Sequence, residues 1–181
     1  MNIKTIILGD RCVGKTQFLN HLRKNAGDNY CPTVGVDFVV YKGARNINLQ
    51  IWDTSGSSRF KHIVNTFLKG IHLCIFVYRS RRSFERMMSI MADVQAGNHG
   101  KRFCIIAFDN EELGKTIASK FGYFFFAVNV YNKEECISTL VKITRLCEAE
   151  QKRCNFLGLK NDETFSIKKE RESGYCWYSF C

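Results

Sequence analysis

Apolar runs of about six residues alternate with longer segments of helical periodicity along most of the chain. We predict a β-strand over each apolar run: Ile3–Leu8, Val36–Tyr41, Ile47–Trp52, His72–Val77, Phe103–Phe108 and Tyr123–Asn129. We predict helices over Lys15–Lys24, Ser83–Ala96, Glu111–Phe121 and Lys133–Arg153. Apolar strands separated by helices are typical of an α/β fold, in which a mostly parallel central sheet carries helices on both faces.

The second and third strand patterns are joined by a short segment. Lys42–Arg45 contains a glycine and predicts a hairpin turn, which adds one antiparallel strand to an otherwise parallel sheet. Asn132, followed by Glu135, is typical of a helix N-cap, and the last helix can extend to about residue 154. We therefore predict one domain over residues 1–154 and a flexible tail over residues 155–181, which lacks sustained periodicity.

The composition is that of an ordinary soluble globular protein, with 45% hydrophobic and 24% charged residues among 181. It has no run of about 18 apolar residues, so we expect no membrane-spanning helix. The short apolar N-terminus leads directly into a glycine motif, which argues against a cleaved signal peptide. Nine cysteines without a CxxC pair favour reduced thiols and a cytosolic location. The net charge of +10 indicates a basic surface, and without a nucleic-acid-binding motif we expect no nucleic-acid partner.

The first strand pattern ends in a motif that opens the first helix. Gly9–Thr16 reads GDRCVGKT and fits G-x-x-x-x-G-K-[ST], in the strand–loop–helix context of a phosphate-binding loop. Lys15 would bring a cation to the β and γ phosphates, and the Thr16 hydroxyl would be an oxygen ligand for Mg²⁺. The alternative is a glycine-containing turn that precedes Lys and Thr by chance. The predicted phosphate-binding residues are Gly9, Asp10, Arg11, Cys12, Val13, Gly14, Lys15, Thr16 and Gln17.

Several further blocks resemble those of Rab-type small GTPases, a branch of the Ras superfamily. The blocks are Thr33–Phe38, Asn48–Gly56, Arg59–Lys61, Phe67–Gly70, Phe76–Tyr78 and the Ser83–Phe84 pair. Asn48–Gly56, for example, is similar to the family's LQIWDTAG. The resemblance extends from Met1 to about Arg86 and weakens afterwards. It implies a P-loop NTPase fold, with residues 1–154 as the nucleotide-binding domain and GDP or GTP with Mg²⁺ as ligands.

The resemblance also implies roles for individual residues. Thr33 and Asp53 would join Thr16 in holding Mg²⁺, and the Gly56 amide would meet the γ-phosphate. Phe38, Trp52 and Phe67 match an aromatic triad that Rab proteins present to effectors; the alternative is that all three are core residues. The implied partners are effectors, an exchange factor and an activating protein.

The catalytic position departs from the family pattern. Rab proteins carry Gln after the glycine of DTAG, where it orients the attacking water, whereas this chain has Ser57. Ser58 also replaces the usual Glu. We therefore expect slow GTP hydrolysis, unless Arg11 or Arg59 stabilises the developing charge in cis.

The base-recognition motifs are also degraded. NKxD is predicted to fall at Asp109-Asn110-Glu111-Glu112, and the SAK alanine at Val128. The predicted base-binding residues are Asp109, Asn110, Glu112 and the backbone of Val128. Alternatively, Asp109 or Asn110 caps the following helix. The aromatic that stacks on the purine, expected near Ala26, is missing, so guanine selection should be weak.

The C-terminal end fits no CaaX box. Cys181 and Cys176 are the candidates for lipidation, and the alternative is an unmodified tail with two free thiols. A lipidated tail would place the protein peripherally on the cytosolic face of a membrane. The leading hypothesis is a Rab-like GDP/GTP-binding protein that acts as a slow switch in membrane traffic or signalling. The alternatives are a pseudo-GTPase that serves as a binding module and, third, an ATP-using P-loop enzyme.

Overall fold

The computed structural model describes residues 1–23, 33–57, 66–96 and 102–156. Six strands and four helices make up this part of the chain. The strands are β1 Asn2–Gly9, β2 Val36–Lys42, β3 Asn48–Thr54, β4 Leu73–Tyr78, β5 Arg102–Ala107 and β6 Phe124–Ala127. The helices are α1 Lys15–Asn20, α2 Arg81–Ala96, α3 Glu111–Phe121 and α4 Lys133–Phe156.

The strands form one sheet in the order β2-β3-β1-β4-β5-β6. Among the described strands, only the β2–β3 pair is antiparallel, and it is joined through a 3₁₀ turn at Ala44–Asn46. The other neighbours are parallel, with Ile7 opposite Asp53 on one side and Ile75 on the other. The predicted α/β fold, with a mostly parallel sheet and one hairpin, is therefore confirmed.

The central strands β4 and β5 are buried on both faces, which explains why they are apolar without alternation. Ile3 and Ile7 of β1 belong to a core cluster that includes Phe18 of α1 and Leu140 of α4. Ile6 and Leu8 belong to the opposite cluster, with Met87 of α2 and Ala118 of α3. The carboxyl ends of the parallel strands consequently meet at one edge, between two helical layers, where ligands of such folds bind.

Most element boundaries lie within two residues of those predicted, but α1 ends at Asn20 and not at the predicted Lys24. Helix α3 has the predicted bounds, whereas β6 covers only Phe124–Ala127 of the predicted strand. The Asn132 cap is confirmed, because its side-chain oxygen accepts from the Glu134 and Glu135 amides at 3.0 and 3.2 Å. Beyond Phe156, the predicted tail lies outside the described residues. Within the described part, no helix is both long and apolar enough to cross a bilayer.

Candidate nucleotide-binding site

The loop between β1 and α1 occupies the carboxyl edge of the sheet. Gly14 precedes α1 with a φ of 110°, in the left-handed region that favours glycine. A side chain there would also lie 3.2 Å from a guanidinium nitrogen of Arg79. The Val13 side chain is buried in the core, whereas Arg11 and Cys12 are exposed. The loop therefore has the bend that a phosphate-binding loop needs, with Arg11 and Cys12 on the surface.

Lys15 is buried at the base of this loop, with 6% of its surface exposed. Its ammonium group donates to the carbonyl oxygens of Gly9 and Asp10 at 3.1 and 2.7 Å. Burial lowers the pKa of Lys15 to about 8, although the nearby carboxylates of Asp53 and Asp10 act in the opposite direction. A buried cation bonded to carbonyls alone would gain from an anionic ligand, such as a phosphate.

Thr16, Thr33 and Asp53 converge from three separate parts of the chain. The Thr16 hydroxyl donates to Asp53 Oδ2 at 2.6 Å and lies 2.8 Å from the Thr33 hydroxyl. Asp53 is fully buried, and burial raises its pKa, while the Thr16 hydrogen bond and the Lys15 charge lower it. Its second oxygen, Oδ1, has no hydrogen-bond partner among the described residues. An unsatisfied buried carboxylate oxygen beside two hydroxyls is a donor set that fits a hard cation such as Mg²⁺.

Gly56 brings the segment after β3 against the phosphate-binding loop. A Cβ on Gly56 would lie 2.4 Å from both the carbonyl carbon and the carbonyl oxygen of Asp10, and 2.5 Å from the Arg11 nitrogen. Only glycine permits this approach, because backbone atoms cannot move aside as a flexible side chain can. Ser57 follows directly, and its amide donates to Ser55 Oγ at 3.4 Å.

Arg86 of α2 is part of the site, although nothing in the sequence pattern pointed to it. Its Nη1 lies 2.9 Å from Asp10 Oδ1, which also accepts from the Arg11 amide at 2.8 Å. Asp10 thus ties helix α2 to the phosphate-binding loop. Arg86 and Asp10 are 76 residues apart in the chain, so no local motif could have linked them.

A cavity of about 300 Å³ opens between the ends of β5 and β6. Its lining includes Phe108, Asp109, Asn110, Glu111, Val128 and Glu135. Of the predicted base-binding residues, Asp109, Asn110 and Val128 are therefore brought together. Glu112 is not, because it lies with Lys115 and Thr116 on an adjacent surface and Glu111 takes its place in the cavity. The lining of this cavity therefore gives no support to the predicted base-binding role of Glu112.

Two further expectations about this cavity need correction. The Val128 amide already donates to the Ala107 carbonyl at 2.9 Å, and the Val128 side chain lies in the core. Asn110 occupies the N-cap position of α3, as the alternative predicted, but its side chain makes no capping hydrogen bond there. Asp109 instead accepts from the Asn110 amide at 2.8 Å.

Three aromatic side chains form a cluster on the surface of the β2–β3 hairpin. The Trp52 ring lies 4.9 Å from the Phe38 ring and 6.3 Å from the Phe67 ring. Phe38 is 47% exposed and the other two are half-buried, so the three are not a closed core. Ser58, Arg59, Cys176 and Cys181 were also singled out from the sequence, and they lie outside the described residues.

Comparison with known proteins agrees with this geometry. The model of the Roc (Ras of Complex) domain of DAPkinase matches residues 4–112, more than half of the chain. The chain is 41% identical over 91 residues to the Ras-related protein RABG3f of Arabidopsis thaliana. The aligned segment covers 47% of this chain and 44% of the relative.

Two further relatives give the same result. Ras-related protein RabC of Dictyostelium discoideum is 40% identical over 100 residues, or 50% of each chain. Ras-related protein Rab7 of Cenchrus ciliaris is 40% identical over 91 residues, 47% of this chain and 44% of the relative. The match thus spans about half the length of these curated relatives. With a phosphate-binding loop, a converging Thr16–Thr33–Asp53 set and these matches, the chain belongs to the Roc/Ras superfamily of GTPase domains and has Rab-type relatives.

Proposed function

We propose that this protein binds GDP and GTP together with Mg²⁺ and acts as a slow molecular switch in membrane traffic or signalling. The observation that carries the proposal is the convergence of buried Lys15 with Thr16, Thr33 and the unsatisfied Asp53 carboxylate. The Rab-type relatives support the nucleotide and the class of partner.

Each residue of this set has a distinct task. Lys15 supplies the charge that holds the β and γ oxygens, and it exchanges its two carbonyl partners for the phosphates. Thr16, Asp53 and, with a triphosphate bound, Thr33 would hold Mg²⁺ through their oxygens. Bound Mg²⁺ would neutralise charge on the β and γ phosphates.

Switching depends on two segments that meet the phosphate-binding loop. Thr33 precedes β2 and Gly56 follows β3, so both belong to ends of the same antiparallel hairpin. The γ-phosphate holds both segments through Thr33 and the Gly56 amide, and its loss releases them. Ser57 is too short to orient a water molecule from the position after Gly56, which keeps the switch in the triphosphate state for longer.

The partners follow from the surface next to these segments. The cluster of Phe38, Trp52 and Phe67 lies on the surface of the β2–β3 hairpin. It would contact effectors whose binding depends on the bound nucleotide. An exchange factor and an activating protein would determine whether GDP or GTP is bound. Lipidation of both Cys176 and Cys181 would hold the protein on the cytosolic face of a membrane, since firm anchoring needs two chains.

Binding of GDP to the Lys15→Ala variant tests the proposal. We expect its dissociation constant, measured by titration calorimetry with Mg²⁺, to rise at least ~10-fold because a charge-assisted contact is lost. The matched control is Lys4→Ala, since Lys4 is an exposed lysine on β1 and lies outside the loop. Equal GDP affinity in the two variants, or no GDP binding by the unmodified protein, would contradict the phosphate-site assignment.

A further inference from the structure

Asp10 places a negative charge inside a loop that has to bind a polyanion. It is the only acidic residue in Gly9–Gln17, the segment predicted to hold the phosphates. A carboxylate repels phosphate oxygens unless a cation neutralises it, and the repulsion grows where water is excluded. Only 14% of the Asp10 side chain is exposed. The loop therefore needs a cation that compensates this charge.

Arg86 is the cation that meets this carboxylate. Its Nη1 donates to Asp10 Oδ1 at 2.9 Å, and the same oxygen accepts from the Arg11 amide at 2.8 Å. Hydrogen bonds between two charged groups are stronger than those between neutral groups. Together the two contacts hold the Asp10 carboxylate folded back on its own loop.

The helix that carries Arg86 is fixed to the sheet. Its neighbour Met87 is fully buried and belongs to the same core cluster as Leu8 of β1. Ser83, one turn earlier, is also buried, and its hydroxyl accepts from the Ser80 amide at 2.9 Å. Arg86 thus extends to the loop from an element that is packed against the core, while 52% of its own side chain stays exposed.

The main chain of Asp10 contacts two further parts of the site. Its carbonyl oxygen accepts from the Lys15 ammonium group at 2.7 Å. A Cβ on Gly56 would lie 2.4 Å from the same carbonyl oxygen and 2.5 Å from the Arg11 nitrogen. A rotation of the peptide between Asp10 and Arg11 would therefore disturb both the lysine that serves the phosphates and the surface against which Gly56 packs.

We propose that Arg86 is a positioning residue for nucleotide binding: it neutralises Asp10 and fixes the orientation of the peptide between Asp10 and Arg11. This inference rests on the proposed nucleotide-binding function and adds to it a residue from outside the phosphate-binding motif. Without Arg86, the Asp10 carboxylate stays beside the phosphates with its charge uncompensated. GTP is affected more than GDP, because it brings one more charged phosphate to the loop and is the nucleotide that engages Gly56.

Nucleotide affinities of the Arg86→Ala variant test the proposal. We expect the dissociation constant of a non-hydrolysable GTP analogue to rise about tenfold and that of GDP about threefold, measured by titration calorimetry with Mg²⁺. The matched control is Arg82→Ala, which removes the same charge from an exposed position one turn earlier on α2. It should change either constant less than ~2-fold. A thermal melt of each variant checks that the fold is preserved.

The Asp10→Asn substitution tests whether Arg86 acts through Asp10. Asparagine keeps an oxygen that can accept from the Arg11 amide, but it carries no charge. We expect the double variant Asp10→Asn/Arg86→Ala to bind the GTP analogue within about threefold of the unmodified protein, so that the first substitution suppresses the second. A purely structural defect in α2 would not be repaired in this way.

The outcomes separate the inference from the proposed function. If Arg86→Ala binds both nucleotides as tightly as Arg82→Ala, or if the double variant binds as weakly as Arg86→Ala, the inference is overturned while the nucleotide-binding function stands. Equal losses for the GTP analogue and GDP would overturn the link to Gly56. If the unmodified protein binds neither nucleotide and Lys15→Ala changes nothing, both the inference and the proposed function fail.

Discussion

The hydroxyl oxygen of Tyr78 lies 2.8 Å from the amide nitrogen of Gly114, from which it accepts a hydrogen bond. The same hydroxyl donates to the Asn110 carbonyl at 2.8 Å. A regular helix joins this amide and this carbonyl directly. Here a side chain at the end of β4 stands between them and fastens the first turn of α3 to the sheet. Gly114 permits this, since a Cβ there would lie 2.6 Å from the Tyr78 oxygen.

Removal of that oxygen should destabilise the fold. We expect Tyr78→Phe to lower the free energy of unfolding by about 1–2 kcal/mol, because the Gly114 amide and the Asn110 carbonyl lose their shared partner while the ring packing is preserved. Urea unfolding measures the difference. Ser119→Ala, on the exposed face of the same helix, is the control and should change stability by less than ~0.5 kcal/mol. Equal midpoints for the two variants would show that the hydroxyl does not stabilise α3.

Gly56→Ala should weaken triphosphate binding more than diphosphate binding. The added methyl group would meet the backbone of Asp10 at 2.4 Å, so the segment after β3 must move away from the phosphate-binding loop. If the Gly56 amide serves the γ-phosphate, we expect the dissociation constant of a non-hydrolysable GTP analogue to rise at least ~10-fold, with that of GDP changed less than ~3-fold. Ser55→Ala is the control from the same segment. Equal losses for both nucleotides would place Gly56 outside the γ-phosphate site.

GDP affinity in the absence of Mg²⁺ should fall as pH rises above about 8, the pKa of Lys15. Phosphate oxygens favour the protonated amine, so above this pH binding must add a proton to Lys15. The dissociation constant then rises by up to about tenfold per pH unit. Titrations in EDTA between pH 6.5 and 9.5 would measure this slope. The Lys15→Ala variant should show a flat profile above pH 8, and a flat profile in the unmodified protein would contradict the role of the buried amine.

Intrinsic GTP hydrolysis should be at or below about 5 × 10⁻⁴ s⁻¹, the rate of a small GTPase that retains its glutamine. Ser57 cannot extend to the attacking water, and Ser57→Gln should raise single-turnover hydrolysis by at least about tenfold if Thr33 and Gly56 are placed as proposed. Arg59→Ala belongs in the same assay. Turnover in the unmodified protein well above this rate, abolished by Arg59→Ala, would indicate an arginine-dependent route and a fast switch.

The strands and the phosphate-binding loop could be predicted because their signals are local. Burial on both faces leaves β1 apolar at consecutive positions, and the loop motif is contiguous in sequence. The convergence of Thr33 and Asp53 on Thr16 was implied by the family resemblance alone. The Arg86–Asp10 ion pair and the Tyr78–Gly114 bond join residues 76 and 36 positions apart, so nothing local could reveal them.

The base cavity was predicted less well, for a physical reason. The family resemblance weakens after about Arg86, so the position of each motif residue between β5 and α3 could not be fixed by neighbouring matches. Phe108 continues past the end of β5, with its amide bonded to the Tyr78 carbonyl at 2.9 Å.

Strand β2 has a consequence for how the isolated protein behaves in solution. It is an edge strand of the sheet, and two large apolar side chains, Phe38 and Val40, are exposed on its outer side at 47% and 42%. Such an edge is a template for pairing with a second chain, which leads to aggregation when no partner covers it. Charge limits this pairing: Asp37 lies on the same strand in an ion pair with Arg23, and Lys42 ends it. The exposed Phe38 and Val40 therefore leave β2 available to a partner, while the charges of Asp37 and Lys42 keep the isolated protein from aggregating at high concentration.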